Sequence, residues 1–122
     1  MSSTFRPNIQ IFKADAAISK GMAVKHGTDD THVAKSSVAT SKHIGIAQNA
    51  VTTAEDLVEL ALPGGGAKGL AGAAVTRGDL LTSDSSGYLV ASTTPGDRII
   101  GVAMQSAATN DLFDVFVQAS LI

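Results

Sequence analysis

The sequence predicts an all-β domain, a small barrel or sandwich built from two duplicated halves and led by an extended N-terminal arm. Three observations carry that expectation. Val58, Leu60 and Leu62 alternate with Leu57, Glu59 and Ala61, and Phe113, Val115 and Val117 alternate with Asp114, Phe116 and Gln118. A period of two with an acid on the polar side is the signature of a half-buried strand. Turn residues recur at short intervals, at Gly21, Gly27, Gly78 and Gly87, as they do between short strands. The chain also contains itself twice.

The repeat is read by alignment of the two halves. Ala14 to Gly21 (ADAAISKG) returns as Ala71 to Gly78 (AGAAVTRG), with Ile18, Ser19 and Lys20 replaced by Val75, Thr76 and Arg77. His32-Val33-Ala34 returns loosely as Leu89-Val90-Ala91, and Ile44-Gly45-Ile46-Ala47 returns closely as Ile100-Gly101-Val102-Ala103. The strand from Asp56 to Leu62 returns as Asp111 to Val117. Four matches in the same order define pseudo-repeats over 14–62 and 71–119 within one β domain spanning 14–122. Two copies are too few for a solenoid. They suit a pseudo-two-fold sandwich or barrel in which each half covers an apolar face that the other cannot cover alone.

Ahead of the first repeat, residues 1–13 form the arm. Its segment from Asn8 to Phe12 mixes β-branched and aromatic residues, with Ile9 and Ile11 on one face. Pro7 has no amide hydrogen to donate and suits a sheet edge or the approach to one. Such a segment either adds to the sheet edge of a partner or forms the first strand of its own domain. The arm carries Arg6 and Lys13 and no acid, whereas all eleven acidic residues lie in the body. Met1 to Pro7 reads as a partner contact or as disorder. On this reading, removal of Met1 to Lys13 leaves a folded body.

Within the repeats, one short helical turn fits Ser36 to His43 or Thr52 to Asp56, and no segment carries a long helical stripe. Between them, Pro63-Gly64-Gly65-Gly66-Ala67 reads as an exposed, mobile loop, because three consecutive glycines lose much entropy on ordering. In the second repeat, Asp84-Ser85-Ser86-Gly87 and Thr94-Pro95-Gly96-Asp97 are turns: short polar side chains that bond their own backbone, then a residue free to take positive φ.

The composition excludes several functions. At 122 residues with 44% hydrophobic content, the chain suits one domain with a real core. Only Phe5, Phe12, Tyr88, Phe113 and Phe116 are aromatic, so the core is aliphatic and little remains for stacking sugars or bases. A net charge of −2 offers no basic field for duplex nucleic acid, and the basic residues are not interleaved with aromatics as on a single-strand platform. Without cysteine there is no disulfide framework and no thiolate chemistry. No run approaches the ~20 apolar residues that span a bilayer, and no signal-peptide pattern opens the sequence. A soluble protein made in the cytoplasm, without a membrane partner, is expected.

Catalytic and metal chemistry is not expected either. His26, His32 and His43 are spaced too widely for a compact ligand motif and read as solvated surface imidazoles; the sharper alternative is a weak metal site from His26, Asp29, Asp30 and His32. The segment from Gly64 to Gly69 lacks the Lys-Ser/Thr and following helix of a phosphate-binding loop. No nucleophile elbow occurs. Asp79 and Asp84 are five positions apart on a strand and do not point together as an acid/base pair. Glu59 and Asp114 are equivalent under the repeat and fit solvated strand faces better than a shared site.

Three stretches carry a family likeness: AAVTRGDLL from Ala73 to Leu81, the glycine turn ahead of Tyr88-Leu89-Val90, and Ile100-Gly101-Val102-Ala103 followed by Ser106-Ala107-Ala108 and a closing strand. As an ordered set, from Ala14 to the C-terminus, they resemble the capsid cement, or head decoration, proteins of tailed phages. The first half departs from the pattern at Met22, which stands where the family favours the acid seen at Asp79. The resemblance implies a β-tulip-like domain with no enzymatic activity, no cofactor and no metal. It implies attachment to the outer surface of an expanded phage head after assembly in the host cytoplasm, with the major capsid protein as partner and self-association as a homotrimer. It also implies that the arm, with Arg6, Pro7, Ile9, Ile11, Phe12 and Lys13, reaches the capsid. The rival readings are a carbohydrate- or peptide-binding β-module on the particle and a small β-barrel hydrolase using the histidines.

Overall fold

The computed structural model describes residues 8–121. Ten strands follow one another: β1 (Ile9–Ala14), β2 (Ala23–His26), β3 (His32–Lys35), β4 (His43–Ala47), β5 (Leu57–Ala61), β6 (Gly66–Leu70), β7 (Leu80–Ser83), β8 (Leu89–Ala91), β9 (Arg98–Ala103) and β10 (Leu112–Leu121). No helix occurs among the described residues: 36–42 and 52–56 are irregular turns, and His43 already belongs to β4. The Ser/Thr-rich sequences there bond locally instead: Ser41 Oγ accepts from the amides of Ser37 and Val38 at 3.3 and 3.2 Å.

The first five strands close into a barrel in the order β1-β3-β2-β4-β5, and the last five form a sheet in the order β6-β10-β9-β7-β8. When β6 to β10 are matched in turn to β1 to β5, the two cyclic orders are the same. The registers agree as well. Phe12 faces Val58 and Ile11 faces Glu59, as Gly69 faces Phe113 and Lys68 faces Asp114. The isolated bridge Ile18–Val51 corresponds to Val75–Ala107. The halves differ in closure: β1 meets β3 at Lys13–His32 and Ala14–Val33, whereas the second sheet curls shut only through the single Ala71–Leu89 bridge.

Each half holds its own core. Ala14, Ile18, Met22, Val24, Val33, Ala47, Val51, Val58 and Leu60 form one cluster inside the barrel. Phe113, Val115, Val117, Leu81, Leu89 and Ile100 anchor the other, which Ala23, Ile46 and Ala61 join from the first half. Neighbouring residues of a strand point to opposite faces. Val24, Ala47 and Leu60 therefore line the barrel, while Ala23, Ile46 and Ala61 beside them pack on the second half. The halves thus cover one another through Ala23, Ile46 and Ala61, adjacent residues being buried on both faces of β2, β4 and β5 and also of β7 and β9, while each half fills an interior of its own as well.

The junction between halves is also polar. The amides of Ala23, Leu70 and Arg98 donate to the carbonyls of Gly87, Gly21 and Ala39 at 2.8, 2.9 and 2.9 Å. The Gln48 side-chain amide exchanges hydrogen bonds with the Lys68 backbone at 3.2 and 3.3 Å. Buried backbone groups must find such partners.

The glycine-rich joint is not a loose loop. Gly65, Gly66 and Ala67 are buried, and Gly66 opens β6 opposite Phe116. Gly64 and Gly65 trade backbone hydrogen bonds with Val117, each of 2.9 Å. A run of small residues lets the strand lie under bulky neighbours, since a Cβ on Gly69 would collide with Leu89 and Val115. Gly45 and Gly101 answer a similar demand: a Cβ there would meet the backbone oxygens of Ala61 and Phe116, respectively.

The turns read from sequence are present. Asp84 Oδ1 accepts from the amides of Ser86 and Tyr88 at 2.8 and 3.0 Å, with Gly87 at φ 88°. Gly96 sits at φ 95° in the turn that Asp97 closes on Thr94.

Candidate functional site

β1 positions four of the residues proposed for the arm. It pairs antiparallel with β5 from Ile9–Ala61 to Lys13–Leu57, so this stretch is the first strand of its own barrel, and the boundary at 13/14 falls inside the strand. Arg6 and Pro7 lie outside the described residues. Ile9 is half-buried against the core of the second half, and Phe12 packs on the barrel core. Ile11 is 59% exposed and Lys13 is exposed.

Register partners in antiparallel strands share a face. The pairs Ile11–Glu59 and Lys13–Leu57 therefore form one outward block on the barrel wall. Leu57 is 60% exposed, and with Ile11 it gives two bare aliphatic side chains flanked by one base and one acid. A shallow groove beside this block is lined by Ile11, Phe12, Lys13, Asp30, Thr31 and Leu57. The pattern does not follow from burying a core, because large aliphatic side chains gain nothing from facing water. Sequence reasoning missed Leu57 as a surface residue. The signal was there, since Leu57 shares the parity of Glu59.

The equivalent block in the second half is built differently. Its rungs are Lys68–Asp114 and Leu70–Leu112. Lys68 Nζ and Asp114 Oδ1 form an ion pair at 2.7 Å. Glu59 and Asp114 thus stand on separate sheets with neighbours of their own, and they do not make a shared carboxylate site.

The histidines separate into three environments. His26 is exposed. His32 is clasped on both ring nitrogens, Nδ1 by Asp29 Oδ1 and Nε2 by Glu55 Oε2, each at 2.7 Å. These carboxylates raise its pKa, and the same contact with further hydrogen bonds from Thr31 lowers Asp29 to about 2. His43 lies at the junction of the halves, where Nδ1 shares a 2.7 Å hydrogen bond with the hydroxyl of buried Ser36. Burial pushes its pKa down. The reading of three solvated imidazoles is therefore corrected for His32 and His43, whose ring nitrogens are held by other side chains. No group of three or more metal-ligating side chains placed to hold an ion occurs among the described residues, and His26, Asp29, Asp30 and His32 are not drawn together into one.

Family comparison decides what kind of protein carries this wall. The family model for phage cement proteins matches residues 6–119. This chain belongs to the phage cement protein family. No curated protein sequence matches it. Among solved structures, this cement protein is similar to the N base of head fiber gp8.5 of bacteriophage phi29, with a TM-score of 0.72 at 18% identity over 96% of this chain and 98% of that one. At that identity the likeness establishes the shared all-β fold. A cement protein is a structural component of the phage head.

Proposed function

We propose that this chain decorates the outer surface of an expanded phage head and strengthens contacts between major capsid subunits, with the outward block on β1 and β5 as part of its grip. The observation that carries this reading is the exposed pair Ile11 and Leu57, set between Lys13 and Glu59 on a chain of the cement family. The solved neighbour supports it, being itself part of a phage head fiber. Burial of two aliphatic side chains contributes roughly 1.5–3 kcal/mol each when complete. The many equivalent sites of a shell then add such modest contacts into avidity. Arg6 and Pro7, which come before β1 in the sequence, are assigned to the capsid contact as well, and the protein acts without catalysis or cofactor. Self-association as a trimer at three-fold positions is part of the proposal.

The test adds purified protein to undecorated expanded heads and images the added density. Truncation stops at Pro7, because loss of β1 removes the barrel strand that carries Phe12 and Ala14. Removal of Met1 to Pro7, or the double substitution Ile11→Ser with Leu57→Ser, is expected to reduce occupancy at least tenfold without unfolding the domain. Full occupancy by both variants overturns the assigned surface, and absence of density with the unaltered protein overturns the decoration reading.

A further inference from the structure

The first barrel is sealed where the second is not, and the seal coincides with a side-chain clasp. β1 ends between β3 and the turn that leads into β5. The amide of Ala14 donates to Asp56 O at 2.9 Å, its carbonyl accepts from Glu55 N at 2.7 Å, and the amide of Asp15 donates to Val33 O at 2.8 Å. His32 on β3 reaches over this seam to Glu55 and is held from behind by Asp29. The side chain of His32 is 12% exposed, so the clasp is largely covered, whereas its two carboxylates are open to water.

Comparison with the second half isolates what the clasp adds. The backbone hydrogen bonds are repeated there: Asn110 N donates to Ala71 O at 2.8 Å, and Ala71 N donates to Asp111 O at 2.9 Å. Glu55 and Asn110 share the left-handed conformation, at φ 73° and 71°. Asparagine enters that region readily and glutamate does not, so the first half holds the less suitable residue where the bond to His32 requires a long carboxylate. Tyr88 follows the turn of the second half as His32 follows that of the first, and the second sheet closes by one bridge alone.

We propose that His32 is a protonation-dependent clasp that keeps β1 seated between β3 and β5, so that loss of its charge loosens the strand carrying Ile9, Ile11, Phe12 and Lys13. An imidazolium donates from both nitrogens and satisfies both carboxylates at once, whereas a neutral ring donates from only one. The groups around it are Lys13, its register partner on β1, with Asp15; Asp29 and Asp30 in the β2–β3 turn; His26 on β2; and Glu55 and Asp56 ahead of β5. Acids dominate this set and favour the charged ring. The raised pKa of His32 has a fixed sign: the clasp is complete below the ordinary histidine value and is lost as pH rises through the folded-state value. On its acid side the bond to Asp29 persists until that carboxyl protonates, at about 2. The proposal deepens the decoration reading, because the strand it governs bears the outward block.

Amide hydrogen exchange on the isolated protein tests it without any capsid, so failure here is distinct from failure of the decoration reading. Protection factors, corrected for intrinsic exchange, are followed for Lys13 and Ala14 on β1 and for Leu70 and Ala71 in the second half as pH rises from below to well above the histidine range. The expected result is at least a tenfold loss of protection on β1 with little change in the second half. His32→Gln and Glu55→Gln should each remove that pH dependence, and the second variant retains the histidine should the first fail to fold. Equal behaviour of the two halves, or an unchanged profile in Glu55→Gln, overturns the proposal.

Discussion

Phe12 and Phe113 occupy the same rung of the two halves from opposite strands. Phe12 on β1 faces Val58 on β5, and Phe113 on β10 faces Gly69 on β6. The large ring changed sides of the pair, and the partner shrank where the ring grew. Phe113 is 1% exposed and Phe12 is half-buried. The two rings therefore do not contribute alike.

Phe113→Ala is expected to cost about 3–5 kcal/mol, the range for emptying a buried aromatic site, and Phe12→Ala clearly less. Gly69→Ala should cost about 1–3 kcal/mol, since its methyl group meets the side chains of Leu89 and Val115. Urea unfolding midpoints give the ranking, and a Phe12→Ala loss equal to that of Phe113→Ala would contradict it.

Gly45→Ala and Gly101→Ala should both destabilise, the former more. A Cβ at Gly101 falls 2.7 Å from Phe116 O, and one at Gly45 lies closer still to Ala61 O. Backbone oxygens bound in a sheet cannot step aside as a side chain does, so strands must separate. Thermal midpoints several degrees below that of the unaltered protein are expected for both.

The left-handed bends offer a contrast in kind. Asn110→Gly should leave stability unchanged or slightly raised, and Asn110→Ala should lower it by about 1 kcal/mol. In the first half Glu55→Gly relieves the same backbone conformation but also removes the hydrogen bond to His32. Its gain in urea resistance should therefore be smaller near neutral pH than at alkaline pH, where the clasp is already weakened.

Stability should fall toward both ends of the histidine range for different reasons. Burial lowers the pKa of His43, so its contribution is present above the unfolded value and is lost as pH falls. The contribution of His32 has the opposite sign and is lost as pH rises. Denaturation midpoints followed across pH should show a flatter acid limb in His43→Asn and a flatter alkaline limb in His32→Gln.

Much of this architecture was legible in the chain. The alternation of Val58 and Leu60 and of Phe113, Val115 and Val117 named the buried faces, since a strand's parity is a local property. The turn at Asp84 to Gly87 was legible for the same reason: its hydrogen bonds lie within four residues. The glycine-rich joint misled, because the entropy lost on ordering glycines is visible in sequence while the Val117 and Phe116 partners that compensate for it lie some fifty residues on. His32 misled similarly, with its second carboxylate at Glu55. The outward block required register, which couples two distant strands: the parity of Leu57 marked it as odd, and only its place opposite Lys13 gave it neighbours.

The joint between β5 and β6 has a further consequence for life on a crowded particle. It spans residues 62–65, and two of its glycines are stitched to Val117. A tether so brief and so firmly held leaves the two halves of one copy little freedom to splay apart, so a pull taken up by one half passes to the other with no hinge between them.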